Sequence, residues 1–273
     1  MPDLDIALLA NALQEAAALE IMPRFRKLGE DDVRMKSEAI DLVTAADEAA
    51  ELLIRARVEA ALPDAVFIGE EAVAADPSLM DKIADAELMV IVDPIDGTFN
   101  YAAGLPLFGV MLSVVAKGET VAGIIFDPLG NDWTIAEKGS GAWTYQTDGS
   151  QTRLQVAPAP ALDQMIGIAN VGFFDKELRR RILSNLADVR MFTSYRCAAH
   201  EYRTFAAGHL HFAMYNKLMP WDHLAGTLIS QEAGAYAARF DGSPYLPHHA
   251  DGGLLLASDP DTWALLREKV FTV

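Results

Sequence analysis

The strongest constraint on this chain is a run of five apolar residues, Leu88 to Val92, that ends on two carboxylates, Asp93 and Asp96. A buried strand rarely finishes on two acids unless something cationic meets them, because an unpaired charge in apolar surroundings is costly. Pro94 begins a turn there, and Gly97 and Thr98 follow. Two further apolar stretches end in the same way, one at Gly69-Glu70-Glu71 and one at Trp221-Asp222. Three acidic outlets read as the oxygen cage of a divalent metal site, since hard cations such as magnesium take carboxylate and carbonyl oxygens plus water. On such a turn Asp93 and Asp96 converge, and the Ile95 carbonyl between them faces the same ion. Gly97 leaves room for a phosphate to approach the backbone, with its own N–H and that of Thr98 as donors.

The bulk composition narrows the classes. With 273 residues, 51% of them hydrophobic and 22% charged, the chain has room for a sizeable core, in one large α/β domain or two smaller ones. A net charge of −17 argues against a broad nucleic-acid surface. An acidic protein that handles phosphate also needs metal ions to make the approach favourable. The single cysteine, Cys197, excludes an intramolecular disulfide and suits a reducing cytoplasm. No apolar run approaches the roughly 18 residues of a membrane span, and the segment around Asp3 and Asp5 does not read as a signal peptide.

Leu4, Leu8, Leu9, Ala12, Leu13, Ala16 and Leu19 recur at helical spacing and predict an amphipathic helix over 3–28. A second helix is expected to open within 36–47 and run to about Leu62, with Thr44 as N-cap and Asp47 three residues on. Short strands are expected at 65–68 and 88–92, a hairpin from Leu107 around Lys117-Gly118-Glu119, and strands at 133–136 and 141–145. The polar segment 147–155 is the candidate boundary. It separates an N-terminal α+β part, 1–148, carrying most of the acidic outlets, from a C-terminal α/β part, 149–273, supplying Asp222 and the substrate pocket. The two form one catalytic unit. In the second part, strands near 165–169, 190–192 and 210–215 alternate with helices at 176–187, 198–207 and 224–233. Ser258 is expected to cap a last helix with Pro260 in its first turn.

Taken together, Gly-Glu-Glu at 69–71, Asp-Pro-Ile-Asp-Gly-Thr-Phe-Asn at 93–100 and the Trp-Asp…Ala-Gly…Glu-Ala-Gly pattern of 221–234 resemble the magnesium-dependent, lithium-sensitive inositol monophosphatase family. The stretch Lys36 to Asp47 matches as well, so the resemblance runs over nearly the whole chain. It implies that family's sugar-phosphatase fold, an αβαβα sandwich, a small phosphorylated polyol or sugar as substrate, and a homodimer. It also implies roughly two to three magnesium ions. Carried over residue by residue, Glu70, Asp93 and the Ile95 carbonyl hold the first metal, Asp93 bridges, and Asp96 and Asp222 complete the second. Thr98 pairs with Asp47 and helps Glu70 orient the attacking water, and the N–H groups of Gly97 and Thr98 hold phosphate oxygens. Asp96 and Asp222 also border the substrate. The chemistry asks for the same arrangement. A phosphate monoester dianion repels hydroxide, so its charge must be neutralised while the nucleophile is generated, and two ions about 3.5–4 Å apart do both.

The chain departs from that pattern where the sugar would sit. Phe99 occupies a position that is usually small or polar. Arg196-Cys197-Ala198-Ala199-His200-Glu201 stands where inositol enzymes carry Gly-Thr-Ala after Arg-Ser, and Tyr215 replaces a glutamate seven residues before the Trp-Asp aspartate. Ala199, Glu201 and Tyr215 are therefore the candidate substrate-contacting residues. A polyol pocket loses discrimination when a hydroxyl partner disappears. Myo-inositol 1-phosphate is then the default substrate, with histidinol phosphate or fructose 1,6-bisphosphate as alternatives under the same chemistry. Lys36, His200 and His223 carry no assigned role. A non-catalytic sugar-phosphate-binding or scaffolding protein is the alternative from another class, and the full ligand set argues against it. Haloacid-dehalogenase-type phosphatases also carry a motif ending in Asp-Gly-Thr, but with aspartates two apart, whereas Asp93 and Asp96 are three apart.

Overall fold

Strand Leu88–Asp96 is buried along nearly its whole length because it lies one place in from the edge of a seven-stranded sheet that is covered on both faces. The computed structural model describes residues 4–29, 32–36 and 42–273; the part of the Lys36–Asp47 motif at 37–41 lies outside them. In the larger sheet the strands follow chain order: Val66–Gly69, Leu88–Asp96, Gly109–Ala116, Glu119–Asp127, Asp132–Glu137, Ala142–Gln146 and Gln151–Arg153. The first pair is parallel and joined by a helical crossover; the later pairs are antiparallel, the first of them joined through the short helix Thr98–Ala102 and the rest by short turns. A second sheet of five strands has the order Met191–Thr193, Ile166–Ala169, Phe212–Tyr215, Leu254–Ala257, Tyr236–Arg239.

Helices separate and enclose the sheets. Helix Ile6–Ala16, prolonged by a π-helical turn over Ala17–Ile21, and helix Ala45–Ala61 bury Leu13, Ile21 and Ile54 against Val92 and Leu112 of the larger sheet. Helices Ala198–Ala206 and Pro220–Glu232 lie between the sheets, where Tyr202, Phe205 and Ile229 meet Ile125 on one side and Leu256 on the other. Helices Lys176–Asn185 and Pro260–Lys269 cover the far face of the smaller sheet through Ile182 and Leu266. The result is the αβαβα sandwich. Two glycines let its middle layer close. A Cβ on Gly123 would lie 2.8 Å from the Ala225 carbonyl oxygen, and one on Gly226 would lie 2.1 Å from the Tyr202 ring. Helix Pro220–Glu232 therefore sits directly on the larger sheet and directly against its partner helix, which fixes the position of Asp222.

Several elements differ from the expectations, each for a local reason. The segment expected to open the second helix is instead a strand, Leu42–Thr44, paired with Val33–Met35, and the helix begins at Ala45 behind its Thr44–Asp47 capping box. Helix Pro220–Glu232 starts before Trp221, since a proline at the first position of a helix gives up an N–H that has no partner there anyway. Asp222 thus lies in a first helical turn rather than at the end of an apolar stretch. The polar segment 147–155 contributes an edge strand, Gln151–Arg153. Asp259, not Ser258, caps the last helix, its side chain accepting from Thr262 N–H. Strands Tyr236–Arg239 and Leu254–Ala257 add to the expected elements.

Candidate active site

In an unbroken strand, residues three apart face opposite sides. The ladder between Leu88–Asp96 and Gly109–Ala116 shifts register between Asp93 and Asp96, with Pro94, which has no N–H to donate, at the break. Asp93 Oδ1 accepts the Ile95 N–H at 3.0 Å, closing a tight local turn. Gly97 then takes φ +84°, and a Cβ there would lie 2.9 Å from the Leu107 carbonyl oxygen, so only glycine fits. The break brings carboxylate oxygens of Asp93, Asp96 and Asp222 within 4.8 Å of one another. They line a cleft of about 610 Å³, together with Glu70, Ile95, Gly97 and Thr98.

Crowded, buried acids resist ionisation. Burial, then the charges of Glu70 and of the neighbouring aspartates, pushes the Asp93 and Asp222 carboxyls well above the usual range. Burial raises Asp96 too, against hydrogen bonds from Cys197 and from the Ala199 N–H, which Asp96 Oδ2 accepts at 2.9 and 2.6 Å. Three like charges in one desolvated space repel each other, and a divalent cation on an all-oxygen donor set removes that repulsion. The residues therefore fit a hard divalent ion.

Glu70 sits apart from this trio. Its Oε1 accepts from Lys36 Nζ at 2.8 Å, and Lys36 also donates to Glu71 Oε1 at 2.6 Å. Burial works against the Lys36 ammonium, but the two glutamates outweigh it and hold its pKa above the ordinary value. Burial pushes Glu71 up to about 8. Helix Glu70–Ala75 is positioned from behind by Glu51, whose oxygens accept the N–H groups of Glu71 and Ala72, both at 2.8 Å. Asp47, fully buried, accepts Thr44 N–H at 2.9 Å on one oxygen and lies 3.2 Å from the Thr98 hydroxyl on the other. Burial pushes Asp47 up to about 7, and the Glu70 charge adds to the rise. Thr98 Oγ1 is also 2.9 Å from the Ile95 carbonyl. A hydroxyl has one proton, so Thr98 donates to Asp47 or to Ile95, never to both.

The candidate substrate residues separate. Ala199 is fully buried behind the cleft, with its N–H committed to Asp96. Glu201 lines the cleft, but its oxygens accept from Asn170 Nδ2 at 2.9 Å and Tyr195 N–H at 2.8 Å. Burial pushes it up to about 7 against those bonds. Tyr215 lines the cleft with a buried hydroxyl that has no hydrogen-bond partner among the described residues. His223 lies beneath, bonded to the Lys217 carbonyl at 2.8 Å and the Tyr202 hydroxyl at 3.0 Å, and burial lowers it to about 4, which keeps it neutral. His200 bonds the Phe108 carbonyl at 3.1 Å.

Sequence reasoning missed Glu51 and the Cys197–Asp96 contact. For Glu51 a signal existed. Asp47 and Glu51 stand four apart, in line with the buried Ala50, Ile54 and Val58 of the same helix, and acids on an apolar face ask for donors. Cys197 offered none, since its partner lies 101 residues away.

Residues 4–270 match the model of the inositol monophosphatase family. An inositol-1-monophosphatase of Caulobacter vibrioides is 33% identical over 244 residues, covering 86% of this chain and 89% of its own. A fructose-1,6-bisphosphatase/inositol-1-monophosphatase of Thermotoga maritima is 30% identical over 214 residues, 78% of this chain and 77% of its own. Among solved structures, the extragenic suppressor protein suhB of Bartonella henselae superposes with a TM-score of 0.81 at 25% identity, covering 97% of both chains.

Proposed function

The chain belongs to the inositol monophosphatase family, and from that premise we propose that it hydrolyses a small phosphate monoester with water, with myo-inositol 1-phosphate as the default substrate. The observation that carries this reading is the convergence of Asp93, Asp96 and Asp222 in one cleft. Glu70, Asp93 and the Ile95 carbonyl would hold one magnesium ion, and Asp93, Asp96 and Asp222 a second, with a third near Glu70. Bound there, such ions supply Lewis acidity towards phosphate oxygens and lower the pKa of water.

The chain's own groups do the rest. The Thr98 hydroxyl, moving its proton between Ile95 and Asp47, is placed to orient a water beside Glu70. Asp47, with its pKa near 7, holds a proton at Oδ1 or gives it up near neutral pH, the range in which a general base is effective. The N–H groups of Gly97 and Thr98 bind phosphate oxygens and fix the ester, and positioning and charge stabilisation suffice for phosphoryl transfer without a phosphoenzyme. Lys36 restrains Glu70 and Glu71 through its two short ion pairs. Glu201 and Tyr215 border the leaving group. In this reading residues 1–148 supply most of the carboxylates, residues 149–273 supply Asp222 and the substrate wall, and the enzyme works as a cytoplasmic homodimer.

The test is release of inorganic phosphate from a panel of monoesters, with magnesium added or removed by chelation. Magnesium-dependent release, with inositol 1-phosphate among the better substrates, is the expected result. No turnover of any ester would overturn the reading, and trapping of a phosphorylated aspartate would replace it with the dehalogenase mechanism. Light scattering of the purified chain tests the dimer.

A further inference from the structure

The cations of the cleft differ in how they are held. Lys36 is consumed by Glu70 and Glu71. Arg196 and Lys217 line the same cleft, and neither has a carboxylate partner among the described residues. In a chain with 39 acidic and 22 basic residues, both nonetheless stay out of any ion pair among the described residues, although the Lys217 charge reaches Asp222 and works against the rise of its pKa. Each is seated on an aromatic ring instead. Arg196 Cζ lies 3.4 Å from the centroid of Phe99, and Lys217 Nζ lies 5.7 Å from that of Phe173. A ring face holds a cation without neutralising it. A guanidinium laid flat on a ring also keeps its N–H edge free for a carboxylate or phosphate.

The Arg196–Phe99 pair is built rather than accidental. Arg196 has φ +54°, a left-handed conformation that a residue with a Cβ adopts only where the surroundings impose it. Here they do. Buried Asn100, next to Phe99, donates to the Tyr195 carbonyl at 2.8 Å, and the Arg196 N–H donates to Ser194 Oγ at 3.2 Å. The strained residue and its ring are thereby tied into one unit beside Thr98. On the other side, the Lys217 carbonyl is held by His223, the residue after Asp222.

We infer that Arg196 on Phe99 and Lys217 on Phe173 form a second anion subsite on the outer wall of the cleft. A substrate that carries a further phosphate or carboxylate besides the phosphate that is removed is then favoured over the same compound without it. This rests on the phosphatase reading for its reaction, but not for its binding chemistry.

The experiment compares substrate pairs that differ in one anionic group: fructose 1-phosphate with fructose 1,6-bisphosphate, and glycerol 3-phosphate with 3-phosphoglycerate, at fixed free magnesium. The first pair reads a second phosphate and the other a carboxylate. The native enzyme is expected to favour the doubly anionic member by about tenfold or more in kcat/KM, the scale of a charge-assisted contact. Arg196→Gln and Lys217→Gln each collapse that ratio, whereas Arg196→Lys, which keeps the charge and loses the fork, retains part of it. Added salt shrinks the preference. A native ratio near one in both pairs, or variants that slow both members by the same factor, would overturn the subsite. If neither member of a pair is turned over, the phosphatase reading is judged on the monoester panel instead. Calorimetric binding of the same two fructose phosphates to native and Arg196→Gln protein then decides the subsite alone, and equal affinities would reject it. Thermal unfolding of each variant checks that the fold is kept.

Discussion

At the reacting end of the cleft, acids are anchored to the backbone of well-packed elements. Asp93 accepts from Ile95, Asp96 from Ala199, Asp47 from Thr44, and Glu51 from Glu71 and Ala72. The outer wall is made differently. Asn170 to Phe173, Ser194 to Arg196 and Asn216-Lys217 lie outside helices and strands or in single 3₁₀ turns, and Phe173 is 50% exposed. Rigid elements fix where bonds break, and loops decide what enters. Loops tolerate change at little cost to stability, so the two ends can respond separately to substitution.

The largest effect should come from the anchored end. Asp93→Asn is expected to cost several kcal/mol of charge stabilisation, about a thousandfold or more in kcat. In chelator its thermal stability should hold or rise, because one of three crowded like charges is gone. Steady-state kinetics and a melting curve check both, and turnover within tenfold of native would break the distinction between the two ends. Next, Glu51→Gln touches no reacting atom, yet it loosens the helix that carries Glu70. A fall of about 10- to 100-fold in kcat at nearly constant KM is expected, and an unchanged kcat would show that Glu70 needs no support.

Glu201 sits between the two regions and sharpens the boundary through pH. Its folded-state pKa of about 7 exceeds its ordinary 4.5, so the folded protein holds that proton more tightly than the unfolded chain. The resulting stabilisation is full below about pH 4.5 and is lost as pH rises through about 7, a change on the order of 3 kcal/mol at most. Denaturant titrations in chelator should show stability declining between those pH values, and Glu201→Gln should flatten the decline. An unaltered slope would place the titration elsewhere. The smallest effect is expected at the outer wall: Phe173→Ala should raise KM about two- to threefold, as for loss of an exposed cation–aromatic contact, with a lesser change in kcat.

How much of this was legible before the structure depended on whether a feature is local. The carboxylates at 93 and 96 stood out because burial forbids stranded acids, and the Thr44–Asp47 capping box is a four-residue pattern. Strand Leu254–Ala257 stayed hidden because it is buried on both faces and shows no alternation, so its period carries no information. The helix expected from Leu224 in fact starts at Pro220, because a proline suits a first helical position. The strand break at Pro94 was legible as a turn, but the register shift that turns Asp96 to the side of Asp93 depends on the neighbouring strand. Arg196 on Phe99 and Cys197 on Asp96 are tertiary contacts across roughly a hundred residues, and no spacing rule reaches that far.

The bond from Ala199 N–H to Asp96, spanning 103 positions, also has a meaning in time. Closing so long a loop is entropically costly and comes late in folding. A chain emerging from the ribosome displays Asp93 and Asp96 long before helix Ala198–Ala206 exists to orient them. The larger sheet can pair on its own schedule without assembling the reaction centre. Catalytic competence should therefore lag secondary structure during refolding, and the first turnover would mark the docking of the second sheet onto the first.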